Sequence, residues 1–171
     1  MSVLYLLRHA KSSWDVGGLP DHERPLAPRG RQAASSAASY LVSARIIPAL
    51  VLCSSATRAM QTYDPIAEVL TGPAQLSVED ALYGASATSL LARLREIPGC
   101  VDPVLLIGHN PGLQDLLVYL AADGKPAALS RARSKFPTAG LAALRFDGAW
   151  ADLRPGTAYL ESFWTPKDHL G

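Results

Sequence analysis

Four polar clusters each follow an apolar run: Arg8-His9-Ala10-Lys11-Ser12, Ser54-Ser55 with Arg58 one turn on, Glu79-Asp80, and Gly108-His109-Asn110-Pro111-Gly112. Arginine presents a rigid fork of donors matched to phosphate oxygens, and free backbone N–H groups at the start of a helix after Asn110 would add partial positive charge. A neutral imidazole beside such a site can attack phosphorus through one ring nitrogen if the other donates to a carbonyl, which fixes the tautomer. His9 is placed for that role. A protonated carboxyl near the leaving atom would supply the departing proton, and nearby phosphate charge would raise its pKa toward the working range. Asp80 and Glu79 are the candidates. His9 and His109 could instead ligate a metal, but the clustered carboxylates of such sites are missing, so neither metal nor cofactor is expected.

Residues this far apart in the chain meet only where a sheet edge collects them, and in open parallel sheets ligands gather beyond the carboxyl ends of the strands. Val3 to Leu7, Ala49 to Cys53, Leu76 to Val78 and Val104 to Ile107 read as strands covered on both faces, with two later ones at Leu141 to Phe146 and Tyr159 to Phe163. Helical spacing runs from Pro28 to Ser43, through Leu90, Leu91, Leu94 and Ile97 behind a Ser86 cap, and through Leu113, Leu116, Leu117 and Leu120. Thr57 to Leu70 is also periodic, with Pro65 expected to kink or split it. Trp14 to Ala27 and Asp123 to Ala139 read as the two long connections. The alternation predicts a three-layer α/β sandwich, a mainly parallel central sheet with helices on both faces.

The chain has 171 residues, 49% apolar and 18% charged, as expected of one globular domain over residues 1–171. A net charge of +1 is too balanced for the broad basic field of a nucleic-acid binder, so any anion site must be local. No apolar run approaches the ~20 residues needed to cross a bilayer, and Met1 to Leu7 reads as a first strand, not a signal peptide. A cytoplasmic location is the default expectation. Cys53 and Cys100 lack metal or disulfide spacing and are expected to be reduced, Cys53 as a packing thiol. Lys11 and Arg24 could extend the anion pocket. Arg131, Arg133 and Lys135 read as a solvated loop, and His22 and His169 as exposed.

The blocks resemble the histidine phosphatase superfamily. Leu7-Arg8-His9-Ala10-Lys11-Ser12-Ser13-Trp14 is similar to the signature of its short phosphohistidine phosphatase (SixA-like) branch. Arg24-Pro25-Leu26 with Gly30, Ser54 to Thr62, Tyr83-Gly84 and Gly108 to Gly112 follow in that family's order. The resemblance implies a phosphoglycerate mutase-like fold and a metal-independent phosphatase that passes through a phosphohistidine on His9, with Arg8, Arg58 and His109 holding the phosphoryl oxygens. Asn110, Lys11 and Arg24 are further substrate-binding candidates. In related phosphoglycerate mutases the acid lies three residues before a Tyr-Gly pair, which implies Asp80 and not Glu79. Those relatives carry an Asn after the Trp; here Asp15 stands there, and no phosphate contact is carried onto it. The chain has little spare sequence for a lid, and an open site admits a protein side chain. The leading expectation is a protein phosphohistidine phosphatase. A sugar or nucleotide phosphomonoesterase, or a weakly catalytic phospho-residue binding module, is the alternative.

Overall fold

The computed structural model describes residues 1–170, with side chains through residue 168; His169 therefore lies outside the described side chains. Seven strands form one sheet in the order β3-β2-β4-β1-β6-β7-β5. These are β1 (Ser2–Arg8), β2 (Leu50–Ser54), β3 (Gln75–Glu79), β4 (Val104–Gly108), β5 (Ala121–Gly124), β6 (Leu141–Phe146) and β7 (Ala158–Trp164). The first four run parallel to one another, β6 is antiparallel to both neighbours, and β5 is parallel to β7. The expected mainly parallel sheet is present, with β6 as its reversed strand.

Alternation along the central strands builds two apolar layers. Leu4, Leu6, Leu52, Val104 and Leu106 pack with α3 (Ala87–Arg95), α4 (Gly112–Leu120) and α5 (Pro126–Ser134). Leu7, Val51, Cys53, Leu105 and Ile107 pack on the opposite face with α1 (Pro28–Ser43) and α2 (Thr57–Val69). Both faces of β2 and β4 are buried, which is why they read as continuous apolar runs. β3 departs from expectation: it is an edge strand, and Leu76 and Val78 are exposed.

Three further expectations are corrected. Pro65 neither splits nor ends α2, because Ala59, Thr62, Tyr63 and Ile66 are buried around it and outweigh one lost backbone bond. Asp123 to Ala139 is not a loop; it holds the end of β5 and all of α5. Consequently Arg131 pairs with Asp168 rather than lying on a solvated loop. No helix among the described residues is long and apolar enough to cross a membrane.

Two glycines in the quoted blocks have packing reasons. A Cβ on Gly30 would run into the Lys11 carbonyl oxygen, and one on Gly112 into the Ala85 carbonyl oxygen. Each lets a helix start press directly against a loop bearing site residues.

Candidate active site

The parallel register sets Arg8 beside Gly108 and Cys53 beside Ile107, so the ends of β1, β2 and β4 open onto one edge. There a cleft of about 280 Å³ is walled by Arg8, His9, Lys11, Arg24 and Arg58, with Ser12, Trp14 and Thr138 completing it.

His9 is 8% exposed at the floor. Its Nδ1 lies 2.7 Å from the Ala10 carbonyl oxygen; a carbonyl only accepts, so Nδ1 carries the proton and Nε2 keeps its lone pair. The Ala10 peptide is itself fixed: its N–H donates to Thr62 Oγ1 at 2.9 Å, and that hydroxyl donates to the Arg58 carbonyl at 2.7 Å. One turn of α2 thus carries both Arg58 and the support for the His9 loop.

Burial, reinforced by Arg58 and Arg8, pushes the His9 pKa down to about 4. The His109 ring lies 4.9 Å from that of His9, and burial followed by the neighbouring His9 and Arg58 pushes it to about 3. Its Nε2 shares a 2.7 Å hydrogen bond with Ser54 Oγ, while its buried Nδ1 has no partner among the described residues. Two neutral imidazoles therefore sit among cations, an arrangement with a nucleophilic nitrogen and a net positive wall.

The arginines are held differently. Arg8 gives Nη1 to the Phe136 carbonyl at 2.9 Å. Arg58 gives Nη1 to the Asp21 carbonyl at 2.7 Å and Nη2 to Asp21 Oδ2 at 3.0 Å. Arg24 uses Nε on the Ser13 carbonyl, Nη1 on Asp21 Oδ1 and Nη2 on Ser12 Oγ. Tyr83 Oη donates to Asp21 Oδ2 at 2.6 Å. That hydrogen bond, with those from Arg58 and Arg24, brings the Asp21 pKa down to about 2. Asp21 therefore joins the Arg24, Arg58 and Tyr83 blocks through a single carboxylate.

Not every candidate reaches the cleft wall, and His109, buried beside His9, is not among its lining residues. Glu79 accepts a two-pronged hydrogen bond from Arg93, at 2.9 and 2.8 Å, which lowers its pKa and commits it to an ion pair. Asp80 is exposed on the short turn after β3, outside the wall. Asn110 turns its amide to the Phe136 carbonyl at 3.1 Å, the same oxygen that holds Arg8. Asp15 is exposed. His22, expected to be exposed, is half-buried, with Nε2 2.9 Å from Ser55 Oγ. Burial pushes the Cys53 thiol up to about 12, as suits a packing residue. Among the described residues no three His, Cys, Asp or Glu side chains form a group that could hold a metal.

Residues 4–98 match the histidine phosphatase superfamily (branch 1). The chain belongs to this superfamily. An uncharacterized protein of Mycobacterium tuberculosis is 39% identical over 163 residues, covering 94% of this chain and all of that one. A structure from Nakamurella multipartitia, provisionally named phosphohistidine phosphatase SixA, superposes with a TM-score of 0.84 at 31% identity over 96% of each chain. The protein histidine phosphatase SixA complexed with tungstate has the same fold, with a TM-score of 0.78 at 23% identity over 97% of this chain and 98% of that one. Within the histidine phosphatase superfamily fold of this chain, the residues that the sequence did not point to are Asp21, Thr138 and the Phe136 carbonyl, while Ser54 of the second polar cluster holds His109. The Asp-x-x-Arg spacing of Asp21 and Arg24 was the one available signal.

Proposed function

We propose that this chain is a metal-independent phosphatase acting through a covalent phosphohistidine on His9, with the phosphohistidine of a protein as substrate. The carrying observation is the 2.7 Å contact that holds the proton on His9 Nδ1 at the floor of an arginine-walled cleft. Nε2 attacks phosphorus, and the bond from phosphorus to the leaving nitrogen breaks. Arg8, Arg58 and His109 hold the phosphoryl oxygens, Arg58 from a position preset by Asp21. Lys11 and Arg24 add positive charge at the wall. Water then attacks the phosphorylated His9, releasing inorganic phosphate and restoring the imidazole.

Asp80 delivers the departing proton in this scheme. Glu79 is committed to Arg93, and Asp21 is held ionised by Tyr83 and its two arginines. An imidazole leaves readily once protonated, so an acid that stands outside the cleft wall suffices for it, whereas an alkoxide needs a closer donor. The SixA name of the Nakamurella structure supports the same substrate class.

The test compares kcat/KM on a phosphohistidine-bearing protein, a sugar phosphate and an aryl phosphate, with and without chelator. Preference for the phosphohistidine protein, unaffected by chelation, is expected. Preference for the sugar phosphate, or loss of turnover with chelator, contradicts it.

A further inference from the structure

Trp14 combines exposure with restraint. It is 78% exposed, yet the Arg24 guanidinium lies 3.3 Å from its ring centroid and covers one face. Arg24 is in turn fixed by Ser12, the Ser13 carbonyl and Asp21, and is itself 8% exposed. An indole left in water costs apolar hydration, and the cation that covers it is buried and hydrogen-bonded in place. Here three hydrogen bonds hold the cation that holds the ring.

The other face of the indole is open, and Trp14 lines the same cleft as His9 and Arg58. In an in-line displacement the attacking and leaving atoms lie on opposite sides of phosphorus. His9 is at the buried floor, so the leaving group points to the cleft mouth, where Trp14 stands. The other mouth residues, Lys11, Ser12 and Thr138, offer no flat apolar surface.

The geometry points to Trp14 as a specificity-determining residue: a stacking platform, braced by Arg24, for a planar aromatic or heteroaromatic leaving group such as an imidazole. This deepens the phosphatase reading and rests on it for the direction of the leaving group. It favours aryl and imidazole phosphates over alkyl phosphates by contact with the ring.

Binding without turnover separates the two claims. Calorimetry on the whole chain compares phenylphosphonate with methylphosphonate, neither of which can be hydrolysed at its P–C bond by this chemistry. The unmodified protein and Trp14→Phe are expected to favour phenylphosphonate by roughly three- to tenfold, the range of an aromatic pair, and Trp14→Ala to bring the ratio to about one. No preference in the unmodified protein, or a preference that survives Trp14→Ala, overturns the platform. His9→Ala is expected to keep the preference while abolishing phosphatase turnover. A preference in an unmodified protein that itself shows no phosphatase turnover leaves the platform standing and sinks the phosphatase reading.

Discussion

The His9 and His109 rings face each other at 4.9 Å, tilted by 50°, with Arg8 and Arg58 pressing on both. Both folded-state pKa values, about 4 and about 3, lie below the ordinary 6.5. The unfolded chain therefore binds protons first as the pH falls. Stability from these groups is full above 6.5 and drains away below it, down to about 4 for His9 and about 3 for His109. Lowering the pH from 7 to 5 is expected to cost about 1–2 kcal/mol per histidine. Urea unfolding at both pH values reads this, and His9→Asn should shrink the drop. Ring-proton NMR is expected to show two histidines still neutral at pH 5.

Asp21→Asn removes the charge shared by Arg24, Arg58 and Tyr83. Because Asp21 is half exposed, the fold should lose no more than about 1 kcal/mol. Oxyanion binding should suffer more. The vanadate inhibition constant is expected to rise roughly tenfold, the equivalent of about 1.4 kcal/mol, with KM rising alongside it and kcat changing less. Equal losses in kcat and stability would mark Asp21 as a fold residue only.

The two adjacent carboxylates should separate cleanly. Glu79→Gln breaks the Arg93 pair, costing about 1 kcal/mol of stability with turnover retained. Asp80→Asn should slow an alkyl phosphate by roughly a hundredfold and a phosphohistidine protein far less. Steady-state rates on both substrates check this, and an unchanged rate on each removes Asp80 from the acid role.

Gly112→Ala is expected to destabilise the protein by about 1–3 kcal/mol, because the added methyl meets the Ala85 carbonyl, which cannot swing aside as a side chain can. Thermal unfolding measures the loss.

The layered α/β plan was legible because β1, β2 and β4 are apolar on both faces and end in Arg8, Ser54 and Gly108. Candidate residues at or just past strand ends were therefore visible: Arg8, His9 and His109, with Arg58 in the first turn of α2. What was hidden depends on contacts without a period. Asp21 works from a turn with no buried residue, reaching Arg58 and Tyr83 far along the chain. β5 and α5 were missed because Asp123-Gly124-Lys125-Pro126 reads as a turn and α5 buries only Ala128 and Ala132. Asn110 sits in the right block but spends its amide on Phe136, a backbone partner that no residue pattern announces.

The most direct measurement is a rapid acid-free quench with 32P-labelled phosphohistidine protein, followed by mapping of label on the enzyme. A base-stable, acid-labile adduct on His9, absent in His9→Ala, is expected. Turnover of the same substrate by His9→Ala, or label on any other side chain, would contradict it.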